Sequence, residues 1–146
     1  MRETWDAYFM KMAKLASSRA TCCRAKVGCV LVRHSRVIAT GYNGSPPGQP
    51  HCTDVGCDLV HDHCVRCIHA EQNMVASAAR MGISTNGGLL YIWSEERPFP
   101  CDICAKLLTV TGIKGIVVLL QQVDTSSRAY HILEDSNIPI LYHQED

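Results

Sequence analysis

Hydrophobic positions along the chain follow a helical period in some segments and form short continuous runs in others. Apolar side chains recur every three or four positions over residues 3–18, which predicts an amphipathic opening helix. The apolar run at 27–32, the tight turn at 34–36 and a second run at 37–40 predict a β-hairpin. Further along the chain, helices are predicted over residues 69–81, 101–111 and 126–136, and strands over residues 89–93, 116–120 and 138–142.

The resulting element order is α-β-β-α-β-α-β-α-β. Strands that alternate with helices predict a three-layer α/β/α sandwich, with a central mixed sheet of about five strands that is parallel in its later strands. The chain has 146 residues, of which 47% are hydrophobic and 19% charged. This length and composition are typical of a single globular domain, here residues 1–146.

Residues 41–68 break the pattern, because glycine, proline, cysteine and histidine dominate there and apolar positions show no period. A loop of this length in a small domain is usually functional, or is held by something other than a hydrophobic core. The segment is therefore a candidate for ligand or metal binding.

The charge balance and the cysteine content narrow the class of protein. Lys plus Arg equals Asp plus Glu, at 14 each. This balance argues against a protein that binds long nucleic acid, but it is compatible with a local phosphate-binding site. The first residues show no signal-peptide pattern, and no apolar run is long enough for a membrane helix. We therefore expect a soluble, cytoplasmic protein without membrane association. In such a protein, nine cysteines are better explained as metal ligands than as disulfides, whereas Cys29, inside an apolar run, is expected to be a small buried hydrophobe.

Two motifs carry the chemistry. His69-Ala70-Glu71 is followed by Pro100-Cys101-Asp102-Ile103-Cys104. One imidazole and two thiolates hold Zn²⁺ tetrahedrally and leave a fourth position for water, as in catalytic zinc sites. The zinc would acidify that water, and Glu71 would carry protons between the water, the substrate ring and the leaving ammonia.

The predicted helices support this assignment, since His69 and Cys101 each lie where a helix begins and helix N-termini favour thiolates. Residues two apart in the middle of a helix lie on nearly opposite faces. His69 and Glu71 can therefore converge only if the first turn of the helix lies at the edge of the site. The alternative is a structural zinc knuckle in which Glu71 is a surface carboxylate.

The combination of the two motifs is the signature of zinc-dependent nucleobase deaminases. A narrower set of segments is similar to the deoxycytidylate (dCMP) deaminases, from the first helix to about Leu120. These segments are Thr21–Arg24 leading into Val27-Gly28, Gly41–Gly48 with its Gly-Tyr-Asn-Gly tetrapeptide, His51-Cys52 and His63–Arg66. The resemblance implies a cytidine-deaminase-like fold and the zinc-dependent deamination of dCMP to dUMP, the precursor of dTMP.

The resemblance also implies substrate contacts. Asn43 would hydrogen-bond the deoxyribose and Arg24 would contact the 5′-phosphate, with Lys26 as a weaker candidate. Judged from the residues alone, Asn43-Gly44 is also a common turn dipeptide and Arg24 could be an ordinary solvated charge.

Regulation is a further implication of the resemblance. The dCMP deaminases form hexamers that dCTP activates and dTTP inhibits, and the Gly-Tyr-Asn-Gly loop takes part in the effector site. Gly41, Tyr42 and Gly44 are therefore candidate allosteric residues.

A second, structural zinc is predicted in the irregular segment. Cys22 lies 30 residues before Cys52, and some dCMP deaminases use cysteines so placed together with ligands just before H-x-E. His63 and Cys67 are one helical turn apart, so we predict a site of Cys22, Cys52, His63 and Cys67. Cys64 with Cys67 is the rival pairing, and a set of reduced, unliganded cysteines is the remaining alternative.

One departure from the family affects substrate choice. The dCMP deaminases commonly have a short Thr-containing link into P-C-x-x-C, whereas residues 94–100 here are longer and more charged. Alternatives are a deaminase acting on cytidine, deoxycytidine or tRNA adenosine, and a non-catalytic zinc-binding module. The neutral charge balance argues against tRNA, and Glu71 argues against a module that only binds zinc.

Overall fold

The computed structural model describes residues 1–95 and 99–145. Every helix and strand predicted above is present in it, and the irregular segment adds three short elements. The helices are α1 (Trp5–Ser17), α2 (Cys52–Val55), α3 (Ala70–Met81), α4 (Asp102–Thr109) and α5 (Arg128–Asp135), with a 3₁₀ turn at Leu120–Gln122. The strands are β1 (Val27–Arg33), β2 (Arg36–Tyr42), β3 (Leu59–Val60), β4 (His63–Cys64), β5 (Leu89–Ser94), β6 (Gly115–Leu119) and β7 (Ile140–His143).

The central sheet has five strands in the order β2-β1-β5-β6-β7. β1 pairs antiparallel with both β2 and β5, whereas β5, β6 and β7 run parallel. The sheet is therefore mixed and parallel in its later strands, as the sequence predicts.

Helices cover both faces of this sheet, and alternate residues of β5 point to each face. Leu90 and Ile92 join a buried cluster with side chains of α3, α4 and α5. Tyr91 and Trp93 join a second cluster with α1. This arrangement confirms the predicted α/β/α layers. Cys29 is fully buried in the first cluster, as expected of a small hydrophobic residue.

The hairpin between β1 and β2 is longer than its apolar pattern predicts. His34 and Ser35 form the tight turn with φ of 51° and 57°, and β2 continues through Gly41 and Tyr42, which the hydrophobic pattern places in the irregular segment. Gly41 pairs with Cys29 of β1, and a Cβ at Gly41 would lie 2.1 Å from the Ala70 carbonyl oxygen. The glycine therefore permits α3 to approach the sheet closely.

The remainder of the irregular segment contains one turn of helix, α2, and a β-hairpin made of β3 and β4. His61 and Asp62 make the turn of this hairpin with φ of 49° and 64°, a two-residue connection of the kind that joins short antiparallel strands. Because these elements are two to four residues long, they are too short to show a hydrophobic period, and the sequence does not predict them.

The N-termini of α3 and α4 and the chain segments that follow β5 and β6 meet at one edge of the sheet, and a cavity lies there. Among the helices in the described ranges, none has the length and apolar character needed to cross a membrane.

Candidate active site

His69, Cys101 and Cys104 come together at this edge of the sheet. The His69 Nδ1 atom lies 3.3 Å from Cys101 Sγ and 3.4 Å from Cys104 Sγ, and the three ligand atoms lie within 4.8 Å of one another. Zinc–sulfur and zinc–nitrogen bonds in a tetrahedral site imply N···S separations of about 3.6 Å. The donor set and its spacing therefore fit a zinc ion.

Two helix N-termini hold these ligands. His69 is the N-cap of α3, and its backbone N–H donates to Gln72 Oε1 at 2.9 Å. Cys101 is the N-cap of α4, and its Sγ accepts from the Cys104 backbone N–H at 3.4 Å. Hydrogen bonds from the Cys104 thiol and from His69 lower the pKa of Cys101 to about 3. The site is therefore built to hold negative charge on sulfur.

Glu71 lies beside these ligands and is 5% exposed. Burial raises the pKa of its carboxyl group, against the opposing effects of a hydrogen bond with Cys104 and the charge of His69. His69 and Glu71 can share the site because His69 has extended backbone angles (φ −72°, ψ 155°) and precedes the helix. The opposite-face constraint of a mid-helix therefore does not apply to this pair.

The cavity in front of these residues has a volume of about 440 Å³, within the usual range for small-ligand sites. Glu71, His69 and Cys101 line one part of it, and Arg24 and Asn43 also contribute. Its other walls include Ala25, Val27, Ile92, Phe99, Asp102, Asp124 and Ser127.

Asn43 is buried and makes two hydrogen bonds to the segment that leads into β1. Its Oδ1 accepts from the Val27 backbone N–H at 2.9 Å, and its Nδ2 donates to the Ala25 carbonyl at 2.7 Å. These bonds leave one Nδ2 hydrogen and one Oδ1 lone pair for a ligand. Asn43 therefore braces the cavity wall in the position from which it could also contact a sugar.

The two predicted phosphate contacts differ in position. Arg24 is partly buried, lines the cavity and donates a hydrogen bond from Nη1 to the Asp62 carbonyl of the β3–β4 turn. Lys26 is exposed and is not part of the cavity lining. Of the two predicted cations, Arg24 is therefore the one that lines the cavity.

The three candidate allosteric residues differ in exposure. Gly41 is buried against α3. Gly44 bridges Ile68 through two backbone hydrogen bonds, of 3.1 and 2.8 Å, which anchors the chain one residue before His69. Tyr42 is 36% exposed, and its carbonyl accepts from Asn73 Nδ2. Tyr42 is thus the member of the three with a side chain at the surface, and the effector role of all three residues stays a prediction.

A second group of side chains that could hold a metal ion contributes Cys22, Cys64 and Cys67 to the lining of the cavity. We call it the cysteine cluster: Cys22, Cys52, Cys57, Cys64 and Cys67. Cys52 Sγ lies 3.4 Å from Cys64 Sγ and 3.2 Å from Cys67 Sγ. Cys22, Cys57 and Cys64 form an overlapping group within 4.8 Å. Three residues of the predicted structural site, Cys22, Cys52 and Cys67, are therefore members of the cluster.

His63, the fourth residue predicted for that site, belongs to none of the possible metal-binding groups found in the described part of the chain. It lines the cavity in front of His69 and Glu71 instead. Its neighbour Cys64 joins the thiols, since consecutive strand residues point to opposite faces. Burial disfavours the Cys64 thiolate, but backbone hydrogen bonds from Cys67 and Asp58 lower its pKa to about 6. The fold therefore brings both thiols of the rival pairing, Cys64 and Cys67, into the cysteine cluster, whereas it leaves His63 outside it.

Sequence reasoning missed several residues of the cavity wall, notably Phe99, Asp124 and Ser127. Asp124 and Ser127 follow β6, and ligand sites in α/β proteins lie beyond the carboxyl ends of parallel strands. The end of the predicted strand at residue 120 was therefore an available signal. Of the unusual link at residues 94–100, Glu96, Arg97 and Pro98 lie outside the described residues, so its expected effect on substrate choice stays a prediction.

Comparison with known proteins gives a consistent result. Residues 3–120 match the family model of the cytidine and deoxycytidylate deaminase zinc-binding region. The chain is 37% identical over 139 residues to ComE operon protein 2 of Bacillus subtilis, covering 95% of this chain and 71% of that protein. It is 38% identical over 146 residues to deoxycytidylate deaminase of Saccharomyces cerevisiae, covering 96% of this chain but 45% of the yeast protein. The chain thus spans less than half of that relative.

Among solved structures, the fold matches dCMP deaminase from the cyanophage S-TIM5 in complex with dCMP and dUMP. The TM-score is 0.78 at 25% identity, and the match covers 98% of this chain and 99% of the phage chain. The similarity therefore extends over the whole α/β/α sandwich and includes both helix N-termini of the site.

Proposed function

Because the chain belongs to the cytidine and deoxycytidylate deaminase family, we propose that it hydrolyses dCMP to dUMP and ammonia. The observation that carries the proposal is the buried Glu71 beside the His69–Cys101–Cys104 group, at one end of a cavity that also contains Arg24. The yeast relative named deoxycytidylate deaminase and the phage structure with bound dCMP and dUMP support this choice of substrate.

We propose that His69 Nδ1, Cys101 Sγ and Cys104 Sγ hold a catalytic zinc. When bound, zinc supplies Lewis-acid activation of a water molecule for attack on the ring carbon that carries the amino group. The chain's own contribution is to fix three donors at the N-termini of two helices, with Cys101 Sγ accepting a backbone hydrogen bond at the start of α4.

Glu71 performs the proton transfers in this proposal. Its carboxylate accepts a proton from the attacking water and passes it to the ring nitrogen. It then transfers the second water proton to the departing amino group, which leaves as ammonia, so one water is consumed for each ammonia released. Burial suits this role for two reasons. It raises the pKa of the carboxyl group, which makes the carboxylate a better proton acceptor, and it keeps competing water away.

The remaining substrate contacts follow from the cavity walls. The pyrimidine would lie against Glu71 and Ile92, with the sugar beside Asn43 and the phosphate toward Arg24. Asn43 retains hydrogen-bonding capacity for the deoxyribose. The guanidinium of Arg24 can form a charge-assisted hydrogen bond to the phosphate.

A second zinc in the cysteine cluster is part of the same proposal. Five thiols meet where the chain has no hydrophobic core of its own, and a tetrahedral zinc needs four. We propose that the ligands come from Cys22, Cys52, Cys57, Cys64 and Cys67. The bound metal would supply stability that the short elements around it lack.

The family resemblance also suggests regulation by dCTP and dTTP in a homohexamer, with the effector contacting Tyr42 and the backbone around Gly41 and Gly44. Light scattering coupled to size-exclusion chromatography, with and without dCTP, tests the assembly. A monomer under both conditions would contradict it. Steady-state rates with added dCTP and dTTP test the effector site, and rates that neither nucleotide changes would remove it.

The second candidates are deamination of cytidine, deoxycytidine or tRNA adenosine. A single experiment separates them from dCMP deamination: ammonia release measured with each substrate on one metal-replete preparation. We expect dCMP to be strongly preferred. Preference for a nucleoside or for tRNA would replace the substrate assignment, and no release from any of them would indicate a zinc-binding module without catalysis.

A further inference from the structure

We propose that Gln122 is a positioning residue of the reaction, because its side-chain amide sets the distance between the ends of β5 and β6 beside the cavity. This inference rests on the proposed deamination of dCMP and adds to it a residue that acts through the strand ends it holds. Gln122 lies in the 3₁₀ turn that follows β6 and is 2% exposed. Its amide must therefore find hydrogen-bond partners inside the protein.

The strands β5 and β6 stop pairing before they end. The last pair of residues between them is Tyr91 with Val117, whereas β5 continues to Ser94 and β6 to Leu119. Ser94 lines the cavity, and so does Asp124, which lies beyond the end of β6. Ligands of α/β proteins bind at the carboxyl ends of parallel strands, so the distance between these two strand ends sets the width of the cavity there.

The side chain of Gln122 spans the space between the two strand ends. Its Oε1 accepts from the Leu119 backbone N–H at 2.8 Å, and its Nε2 donates to the Ser94 carbonyl at 3.1 Å. Directly paired strands lie about 4.8 Å apart, and an amide placed between two backbone groups holds them further apart than that. Gln122 thus satisfies two buried backbone groups and fixes a wider spacing than strand pairing would give.

Ser94 is also held from its other side. It pairs with Val27 of β1, and the Val27 backbone N–H donates to Asn43 Oδ1 at 2.9 Å. Two buried amide side chains, those of Asn43 and Gln122, therefore brace the same strand end from its two flanks. Ile92 lies two residues earlier on the same face of β5 and lines the cavity where the pyrimidine is proposed to lie.

Loss of the Gln122 bridge would let the end of β5 move relative to α3, the helix that carries Glu71. Proton transfer requires the reacting groups to lie within hydrogen-bond distance, and a misplacement of about 1 Å can cost roughly a hundredfold in rate. The proposed phosphate contact, Arg24, lies on another segment of the chain. Gln122 should therefore affect kcat more than substrate binding.

The test compares two neighbouring glutamines. Gln122→Met removes both hydrogen bonds and keeps a side chain of similar length, and Gln121→Met is the matched control because Gln121 is exposed. The values of kcat and KM for dCMP and for deoxycytidine are measured well below the melting temperature of each variant, per molecule of folded, zinc-loaded protein. We expect Gln122→Met to lower kcat roughly ten- to hundredfold, by the same factor for both substrates, with a much smaller change in KM. Gln121→Met should leave both constants unchanged.

A purely structural role for Gln122 would lower the melting temperature of Gln122→Met and leave kcat per folded molecule unchanged, and that result would overturn the proposal. Equal losses of kcat in Gln122→Met and Gln121→Met would also overturn it. So would a loss confined to dCMP, which would place the effect at the phosphate. Failure of the proposed function is a distinct result, since the unmodified protein would then not deaminate dCMP.

If Gln122→Met does not fold, Gln122→Glu takes its place and is measured at alkaline pH. Its carboxylate still accepts from the Leu119 N–H but has no proton to donate to the Ser94 carbonyl. The 3₁₀ turn should therefore persist while kcat falls by a similar factor. A kcat equal to that of the unmodified protein would show that the bond to Ser94 does not position the site.

Discussion

His69 and Glu71 are two residues apart and reach the same site because one of them lies outside the helix. The backbone of His69 is extended, and the helix begins at Ala70. Cys101 and Cys104 use the same arrangement, with the first thiol at an N-cap and the second within the first turn of α4. At the scale of single residues, the site therefore depends on where two helices begin.

The role of Glu71 is tested by Glu71→Gln, which keeps the size of the side chain and removes the proton-carrying group. We expect the catalytic zinc to be retained and kcat to fall by roughly two to four orders of magnitude, the usual contribution of general acid–base catalysis. Elemental analysis and ammonia release on the same preparation measure the two effects. Turnover within a few-fold of the unmodified protein would exclude Glu71 as the proton carrier.

The phosphate contact is tested by comparing Arg24→Ala with Lys26→Ala. Both variants lose one positive charge, but only Arg24 lines the cavity. Arg24→Ala should lower kcat/KM for dCMP roughly ten- to hundredfold, the equivalent of a charge-assisted hydrogen bond of about 1.5–3 kcal/mol. The deoxycytidine rate should change much less, and Lys26→Ala should behave nearly as the unmodified protein does. Equal decreases in kcat/KM for dCMP and for deoxycytidine would show that Arg24 supports the structure and does not bind the phosphate.

At the scale of elements, short segments carry the site because they are tied to longer ones. β2 lies against α3 through Gly41, where a Cβ would lie 2.1 Å from the Ala70 carbonyl oxygen. Gly44 bridges Ile68 directly before His69. The Gly-Tyr-Asn-Gly tetrapeptide thus positions the start of α3 and braces β1 through Asn43, whatever part it plays with effectors.

Gly41→Ala tests this packing role. The added methyl group would force β2 and the start of α3 apart, so we expect both a lower melting temperature and a lower kcat, because His69 and Glu71 lie at that end of the helix. Thermal unfolding and ammonia release check the two together. A variant that loses only its response to dCTP, with stability and basal rate unchanged, would mean that Gly41 acts through an effector alone.

Cys52→Ser tests the cysteine cluster. Cys52 is 2% exposed and contacts both Cys64 and Cys67, so its loss should destabilise the fold more than it changes the chemistry. Loss of about 3 kcal/mol would lower the melting temperature by on the order of 6–12 °C for a chain of this length. Cys23→Ser, at an exposed thiol beside Cys57, is the control. If Cys52→Ser abolished turnover at unchanged stability, its role would be catalytic.

At the scale of the whole molecule, the fold keeps the His69–Cys101–Cys104 group apart from the cysteine cluster. The His69 group lies where α3 and α4 begin, and the cysteine cluster contributes Cys22, Cys64 and Cys67 to the lining of the same cavity.

This arrangement predicts two zinc ions per chain. Elemental analysis of metal-replete protein should return two, and His69→Ala should return fewer while the chain remains folded. Cys52→Ser should lose the other ion together with stability. A single zinc in the unmodified protein, or two zincs retained in Cys52→Ser, would remove the structural site from the cluster.

The sequence by itself determined the order of the longer elements, the layers of the fold and the group of His69, Glu71, Cys101 and Cys104. This information is local, since hydrophobic period, helix start and ligand spacing are all contained within short windows of the chain. Strand and helix bounds could be predicted to within a few residues for the same reason.

What only the tertiary structure decided was which residues from distant segments meet. The assignment of Cys64 to the cluster and of His63 to the cavity depends on the register of β4, a strand of two residues with no readable period. The positions of Phe99, Asp124 and Ser127 depend on how the ends of β5 and β6 lie beside α3 and α4. Such contacts arise from packing between elements far apart in sequence, and no short window of sequence contains them.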